Sequence, residues 1–312
     1  NISDVPMTLV RAERALGHES RLVTFFADAR GYPEDYCMRL PFIVGAPARH
    51  FKKNVSDPAR VQLSHLQKNT VATKPVWQPH TPTEHWLIKL RELLWLPKIR
   101  TMMRAVDFWQ YDIYQLDAGL DFFRDGRTVR KLKALGKRLL VLYTGSDFRS
   151  RGVIAPVADL ADARFTVEWD HLQLDPTLHH VLFPFEAQKY SFREREAGTI
   201  VRIGHAPTNR AAKGSERILA VLQRLEKQRN IKIILIENKP HNEAIALKDK
   251  CDIFVDQIGD LGYGINALEA LAMGIPTCTC LTSAFVQAYP QHPFVEVQAE
   301  TLEQQLSFLI DH

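Results

Sequence analysis

Residues 252–280 read DIFVDQIGDLGYGINALEALAMGIPTCTC, and this stretch decides the fold class. Its apolar run at 252–256 predicts a buried strand, residues 266–273 predict a helix that ends at Gly274, and residues 276–280 predict a second strand. Two neighbouring parallel strands must be joined by a long connection, which is usually a helix, and the predicted helix fills that role. This order of elements therefore predicts a parallel sheet.

The same alternation extends outward in both directions. Strands are predicted at 21–26, 112–116, 138–143, 164–167, 200–203 and 231–236, and helices at 6–17, 128–135, 215–228 and 242–250. A chain of 312 residues exceeds the usual size of one domain, so we expect two doubly wound α/β domains with parallel sheets. Their predicted ranges are 1–184 and 185–312. A helix followed by a strand at the start of the chain predicts that a first strand precedes Asn1.

The composition is that of an ordinary globular protein, with 46% hydrophobic and 24% charged residues. The net charge of +4 is too small to indicate nucleic-acid binding. No run reaches the roughly 18 apolar residues that a membrane span requires. The four cysteines, at 37, 251, 278 and 280, form no Cys-x-x-Cys pair. Neither a metal site nor a disulfide is therefore predicted, and the cytoplasm is the expected compartment.

The first candidate binding segment, residues 204–214, reads GHAPTNRAAKG and lies between a predicted strand and a predicted helix. Such loops lie at the carboxyl ends of parallel strands, where ligands bind. Arg210 and Lys213 would bring two cations to this edge, and two cations suit a diphosphate. Ser215 is expected to cap the helix that follows. The alternative is a solvated turn with incidental charges.

The second candidate segment is the glycine turn at 259–264 with the helix that follows it. Gly262 and Gly264 permit a tight turn, and the free N–H groups at a helix start bind phosphate. Glu269 lies about one turn into this helix, where a carboxylate can accept hydrogen bonds from both hydroxyls of a ribose. The alternative is that Glu269 points to solvent. The spacing differs from the Gly-x-Gly-x-x-Gly pattern of dinucleotide-binding proteins, which disfavours a dehydrogenase.

Together, HAPTNRAAKGSE at 205–216 and CDIFVDQIGDLGYGINALEALAMGIPTC at 251–278 resemble the donor domain of family 4-type glycosyltransferases. A looser match, KALGKRLLVLYTGSDFR at 133–149, resembles the acceptor-side strand of that family. The resemblance implies a GT-B fold, in which two Rossmann-like domains face a cleft. It also implies transfer of a sugar from a nucleotide-sugar donor to a glycan or lipid-linked acceptor, in bacterial envelope polysaccharide synthesis. Retention at the anomeric carbon is implied, with no metal and no other cofactor.

The resemblance also implies roles for particular residues. Lys213 would bind the donor diphosphate, Glu269 the ribose, and Arg210 a phosphate, although the family's commoner arginine falls where this chain has Thr208. Asp147 is the best acidic candidate on the acceptor side, with a turn or cap role as its alternative. The candidate catalytic residues are thus Asp147, Lys213 and Arg210. The candidate donor-binding residues are Thr208, Asn209, Arg210, Lys213, Gly262, Tyr263, Gly264, Ile265, Asn266 and Glu269.

The sequence departs from the family pattern at two positions. Many members carry an acidic residue eight positions before the helix glutamate, where this chain has Leu261 with Asp260 beside it. A histidine of the family is replaced by Thr144. Two alternatives therefore stay open, namely a nucleotide- or sugar-binding protein of this fold with weakened or lost catalysis, and a GT-B nucleotide-sugar epimerase.

Residues 76–110 interrupt the alternation of strands and helices. They contain tryptophans at 77, 86, 95 and 109, and basic residues at 89, 91, 98, 100 and 104. One interpretation is a helix whose tryptophans pack on the core. The other is a basic, aromatic face that binds an anionic membrane surface or an acceptor chain. Membrane binding would make the protein peripheral at the inner face of the membrane.

Overall fold

The computed structural model describes residues 4–28, 31–43, 74–79, 81–145, 147–195, 198–259 and 262–312. The chain divides into two compact units, which we call unit 1, up to Phe183, and unit 2, Pro184–His312. Every strand pairing in the described ranges is parallel, and in each of the two larger sheets a helix lies between successive strands. The predicted α/β class with parallel sheets is therefore confirmed.

Unit 1 contains a four-stranded parallel sheet and a separate strand pair. In chain order its elements are α1 (Val5–Ala15), β1 (Val23–Thr24), β2 (Tyr36–Cys37), α2 (Pro82–Ala105), β3 (Ile113–Asp117), α3 (Arg127–Ala134), β4 (Arg138–Tyr143), a π-helical turn (Asp147–Arg151), α4 (Ala155–Ala158), β5 (Ala163–Thr166), α5 (His171–Leu174) and β6 (His179–His180). The large sheet has the order β3-β4-β5-β6, and β1 pairs with β2.

Helix α2 has a clear start signal in the sequence. Thr81 accepts a hydrogen bond from the backbone N–H of Glu84 at 3.1 Å, and Pro82 occupies the first helical position. Its inward side packs Trp95, Ile99 and Met102 into a core with Met38 and Leu40. Trp77 and Trp109 pack against a second core, which is built around β3 and β4. Of the two tryptophans on α2, Trp95 packs on the core, as the first interpretation requires, and Trp86 does not, being 72% exposed.

Unit 2 is a five-stranded parallel sheet with helices on both faces. Its elements are a 3₁₀ turn (Ala187–Lys189), β7 (Val201–His205), α6 (Arg210–Lys213), α7 (Ser215–Glu226), β8 (Ile231–Leu235), α8 (His241–Lys248), β9 (Ile253–Gln257), α9 (Ile265–Ala272), β10 (Thr277–Thr279), α10 (Ser283–Ala288), β11 (Val295–Glu296) and α11 (Leu302–Asp311). The strand order is β11-β10-β9-β7-β8.

Strand β9 shows why this sheet is covered on both faces. Ile253 and Val255 belong to the core formed with α7 and α11, whereas Phe254 belongs to the core on the opposite face with α9. Successive side chains of a strand point to opposite faces, so an unbroken apolar run needs a layer of helices on each side. All five residues of β9 are buried, and its carboxyl end is fixed at the middle of the sheet edge.

Candidate functional site

The carboxyl edge of unit 2 joins two segments that are far apart in sequence. Strands β7 and β9 are parallel neighbours, so the loop after each strand leaves the sheet at the same edge. The side-chain amide of Asn266 donates to the carbonyl of Ala206 at 2.9 Å, and the N–H of Ile258 donates to the carbonyl of Lys213 at 3.2 Å. The two candidate segments of the sequence therefore form one continuous surface.

Lys213 lies beside the start of helix α9. Its Nζ is 3.0 and 3.1 Å from the two carboxylate oxygens of Asp256, which is 1% exposed. The N–H of Gly264, immediately before α9, donates to Oδ2 of Asp256 at 3.0 Å. A Cβ at Gly264 would lie 3.2 Å from the Lys213 ammonium. One buried carboxylate thus holds together the cation and the glycine turn that were predicted separately.

Gly214 sets the direction of the chain after Lys213. Its φ of +69° lies in the left-handed region that favours glycine, and a Cβ would stand 2.7 Å from Cγ1 of Ile258. The prediction that Ser215 caps the next helix is wrong. Gly214 occupies the cap position, and Ser215 is the first residue of α7, where it is buried and its hydroxyl hydrogen-bonds Nε2 of His205 at 2.8 Å.

Glu269 is buried in the first turns of α9 and is 3% exposed, so the solvent-facing alternative is excluded. Its Oε2 forms an ion pair with Lys248, which is 0% exposed. Its Oε1 accepts hydrogen bonds from Nε2 of His241 at 2.8 Å and from the hydroxyl of Tyr190 at 3.3 Å. Burial by itself raises the pKa of Glu269, but the hydrogen bond from His241 and the charge of Lys248 outweigh burial and the net pKa is lowered. The carboxylate is therefore ionised at neutral pH.

Asn266 connects this buried pair to the loop after β7. Its Oδ1 accepts from Lys248 Nζ at 2.9 Å, while its amide nitrogen donates to Ala206. Lys248 also lies 5.1 Å from the ring centre of Phe254, within cation–π range. The side chain of Asn266 thus forms hydrogen bonds through both its oxygen and its nitrogen, at the edge where the nucleotide-sugar donor is expected to bind.

Arg210 differs from Lys213 in that its partners are at the surface. Its Nε donates to Glu216 at 2.9 Å and its Nη1 to Glu237 at 3.1 Å, and 42% of its side chain is exposed. Asn209 caps α6 by accepting from the N–H of Ala212 at 3.2 Å. Thr208 is exposed in the same loop. These residues surround Lys213 on the open side of the edge.

The remaining donor-binding candidates lie in the glycine turn. Tyr263 is 8% exposed, and its ring packs against Phe285 and Phe294 at centroid distances of 5.2 and 5.0 Å. Gly262 accepts a hydrogen bond at its carbonyl from the hydroxyl of Thr279 at 3.3 Å, and Ile265 is the first residue of α9. Packing of the Tyr263 ring against these two side chains holds the glycine turn in place. Asp260 and Leu261 lie outside the described residues.

Three residues of the site were not predicted from the sequence, namely Asp256, Lys248 and His241. Asp256 directly follows the apolar residues 253–255 within β9, and a carboxylate that must be buried needs a cation. Lys248 follows Ala244 and Ile245 at helical spacing, so it shares the face of α8 that packs on the sheet. Both positions carried a signal that a charged side chain is buried.

The acceptor-side candidate Asp147 lies in the turn that follows β4, in unit 1. Its carboxylate oxygens accept from the N–H of Thr144 at 3.1 and 3.2 Å. In the same turn, Arg149 pairs with Asp170 at 2.6 Å and with Glu168 at 2.9 Å. We call this region, with Thr144, Asp147 and Arg149, the β4 turn. Asp147 has the bonding of a turn residue here.

The buried side chain of His171 holds the β4 turn in place through hydrogen bonds. Its Nε2 hydrogen-bonds the carbonyl of Gly145 at 3.1 Å, and its Nδ1 hydrogen-bonds the hydroxyl of Thr166 at 2.7 Å. Burial, together with the positive charge of Arg149, lowers the pKa of His171 to about 3. The histidine is neutral at physiological pH and serves as a structural link. Among the described residues, no group of three or more His, Cys, Asp or Glu side chains is arranged to hold a metal ion.

No protein-family model and no curated protein matches this sequence. Solved structures similar to the chain include spinosyn rhamnosyltransferase SpnG complexed with thymidine diphosphate, at 12% identity over 99% of this chain and 88% of that one, with a TM-score of 0.44. MurG of Acinetobacter baumannii is similar at 11% identity over 98% and 86%, with a TM-score of 0.43.

Accessory secretory protein 1,2 and 3 of Streptococcus pneumoniae is similar at 10% identity over 72% of this chain, with a TM-score of 0.44. The chain spans half the length of that protein, 50% of it being covered. All three likenesses are remote, and a function therefore rests on the side chains of the site.

Proposed function

We propose that this chain is a GT-B glycosyltransferase that takes its sugar from a nucleoside-diphosphate sugar bound at the carboxyl edge of unit 2. The observation that supports this most is the meeting of Lys213 with the start of α9, with Glu269 buried in the same helix. A lysine, a glycine turn before a helix and an acidic residue one turn on are the groups that a diphosphate and a ribose require.

The diphosphate would lie over Lys213 and the first N–H groups of α9. Arg210 holds its present partners in exposed ion pairs, which contribute little to stability, so it can exchange Glu216 and Glu237 for phosphate at little cost. Lys213 remains on the buried Asp256, which positions its ammonium. As the bond between sugar and phosphate breaks, negative charge grows on the leaving diphosphate, and these cations stabilise that charge without a metal.

Glu269 would accept hydrogen bonds from the ribose hydroxyls. A carboxylate has about four acceptor sites, so protein donors and two hydroxyls can share it. Lys248 is fully buried on Oε2, whereas 34% of the His241 side chain is exposed on Oε1. We therefore assign ribose binding to the Oε1 side, where the hydroxyls compete with His241 and Tyr190 rather than with Lys248.

Finer assignments follow from the resemblance of 205–216 and 251–278 to family 4-type enzymes. They are a retaining, metal-independent transfer, a glycan or lipid-linked acceptor, and a place in bacterial envelope polysaccharide synthesis. The donor-binding set would be the turn residues Gly262 to Asn266 with Glu269, together with the loop residues Thr208 to Lys213.

A second candidate is a nucleotide-binding protein of the same fold without turnover. The observation that favours it is the β4 turn, where Thr144 replaces the family's histidine and the Asp147 carboxylate is occupied by the Thr144 N–H. With its carboxylate engaged in this way, Asp147 has the geometry of a structural residue. Turnover separates this candidate from the enzyme.

The test is ligand-dependent thermal stability with a panel of nucleoside diphosphates and their sugars. Stabilisation by one nucleoside diphosphate is expected, and it should be lost in Lys213→Met and in Glu269→Gln. The matched control is Lys227→Met, which removes an exposed lysine outside the site. Stabilisation that persists in both site variants would overturn the donor site. Release of free nucleoside diphosphate from the sugar donor would then distinguish the enzyme from the binding protein.

A further inference from the structure

Helix α2 carries a continuous apolar surface on the side that faces away from its own core. The five residues of this surface are Trp86, Leu87, Leu90, Leu93 and Leu94, which are 72, 44, 55, 61 and 49% exposed. Their spacing of three, four and seven places them on one side of a helix. We call this set the outward face of α2. A cluster of five large apolar side chains is unusual on a water-facing helix and marks an interaction site.

The charges of α2 are divided between its two sides. Its two acidic residues, Glu84 and Glu92, are buried at 7 and 4% exposure. Glu92 accepts a hydrogen bond from the backbone N–H of Arg124 at 2.7 Å and lies 3.7 Å from Arg127, so its carboxylate has its partners inside unit 1. The exposed charged side chains of the helix are all basic, namely Lys89, Lys98, Arg100 and Arg104. The outward face is therefore an apolar strip bordered by positive charge alone.

This pattern distinguishes between the surfaces that could cover the strip. A second copy of the chain would bring the same basic residues against one another across a symmetric contact, with no acidic residue on either outward face to pair with them. A lipid bilayer with anionic headgroups offers both an apolar layer for Trp86 and the leucines and negative charge for the lysines and arginines. The basic border is thus complementary to lipid and not to itself.

We propose that the outward face of α2 binds an anionic membrane surface, with the helix lying in the plane of the headgroups. The apolar residues enter the boundary between headgroups and acyl chains, and the basic residues stay among the headgroup phosphates. No helix within the described ranges is long and apolar enough to cross a bilayer. This proposal does not depend on the donor site, because it uses residues of unit 1 only.

The experiment is vesicle flotation of the full chain with phosphatidylcholine vesicles and with vesicles that also contain phosphatidylglycerol. Binding is expected to the anionic vesicles, and it should fall when salt is raised from about 0.1 to about 1 M. The double variant Leu90→Ser with Leu93→Ser should weaken this binding at least about 10-fold. The double variant Lys89→Glu with Arg100→Glu should weaken it by a similar factor.

The matched control is Lys227→Glu with Lys232→Glu, which makes the same change of net charge at exposed positions of unit 2. It should bind anionic vesicles within about two-fold of the unchanged protein if local rather than net charge decides. Equal binding by the control and the α2 variants would overturn the proposal. So would a dimer in light scattering that Leu90→Ser with Leu93→Ser converts to a monomer, because the face would then belong to a second copy. Circular dichroism confirms that the variants are folded.

Discussion

The carboxyl edge of unit 2 and the β4 turn of unit 1 both place buried charges at the end of a parallel strand, yet they distribute these charges differently. In the β4 turn, Arg149 serves two carboxylates, Glu168 and Asp170, and its side chain is 13% exposed. At the edge of unit 2, Lys213 and Lys248 each have a carboxylate of their own, in Asp256 and Glu269. The two regions therefore differ in local charge balance.

This difference indicates which region suits an anion. Three carboxylates with two arginines, Arg149 and Arg151, leave the β4 turn with one excess negative charge, and both guanidinium groups are already held by protein oxygens. We therefore expect the β4 turn to repel a diphosphate. At the edge of unit 2 we expect a ligand to displace the exposed partners of Arg210, near the start of α9, where a helix favours an anion. Buried ion pairs alone thus do not mark a binding site, whereas buried pairs next to an exchangeable cation do.

The largest expected effect is on the stability of unit 2. Glu269→Ala leaves the Lys248 ammonium buried without a partner, and the free energy of unfolding should fall by about 3–5 kcal/mol. Adding Lys248→Met removes the uncompensated charge and should recover most of that loss, without restoring nucleotide binding. Urea unfolding of the two variants measures this. A double variant no more stable than Glu269→Ala would contradict the assignment of Lys248 as the buried counter-ion.

The comparison between the two regions is sharpened by matched removal of one cation from each. Arg149→Met and Lys213→Met should each lower the free energy of unfolding by about 3 kcal/mol, because each leaves buried carboxylates without their cation. Nucleoside diphosphate affinity should fall about 100-fold in Lys213→Met and stay unchanged in Arg149→Met. Calorimetric titration measures both affinities. A comparable loss of affinity in Arg149→Met would contradict the assignment of diphosphate binding to the edge of unit 2 alone.

His171 should make the β4 turn sensitive to acid. The pKa of His171 is lowered to about 3, so between this value and the unfolded value of about 6.5 only the unfolded chain binds its proton. Stability is therefore fully present above about pH 6.5 and falls by up to about 1.4 kcal/mol per pH unit below it. His171→Asn should flatten this slope by one proton, as urea unfolding at a series of pH values would reveal. An unchanged slope would mean that His171 is already charged in the folded protein.

The smallest effect on stability is expected at Arg210. Because its ion pairs with Glu216 and Glu237 are exposed, Arg210→Ala should leave the free energy of unfolding nearly unchanged. Affinity for the nucleoside diphosphate should nevertheless fall about 10-fold, since a charged hydrogen bond to phosphate is lost. Thermal unfolding with and without ligand measures both quantities. An affinity equal to that of the unchanged protein would remove Arg210 from the site.

Much of the fold could be predicted from periodicity, and the reason is visible in β4 and β9. The predicted strand at 138–143 has the bounds of β4, and the predicted strand at 252–256 differs from β9 by one residue at each end. Buried parallel strands are uniform apolar runs between helices, which sequence reports directly. The predicted strand at 21–26 shortens to Val23–Thr24, because its partner among the described residues, β2, pairs with it at two residues. Pairing partners are not encoded in local periodicity.

The candidate site could be predicted only in part. Lys213, Gly264 and Glu269 were found from their positions in loops and in the first turn of a helix. Their counterparts Asp256 and Lys248 were missed, because a pair of buried charges is defined by two residues that lie far apart in sequence. The prediction for Ser215 was wrong for a different reason, since its hydroxyl hydrogen-bonds His205 at the end of the preceding strand, and Gly214 occupies the cap position.

The parallel strand order of unit 2 has a consequence for how the protein is made. Strand β7 is the first strand of unit 2 to leave the ribosome. It lies inside the finished sheet, where Ile203 pairs with both Ile233 and Ile253. Each later strand then joins an edge already formed, β9 on β7, β10 on β9 and β11 on β10. The sheet can therefore grow during synthesis without reopening. Until β11 emerges, the edge strand to which the next strand will pair is the part of the sheet most vulnerable to pairing with another nascent chain.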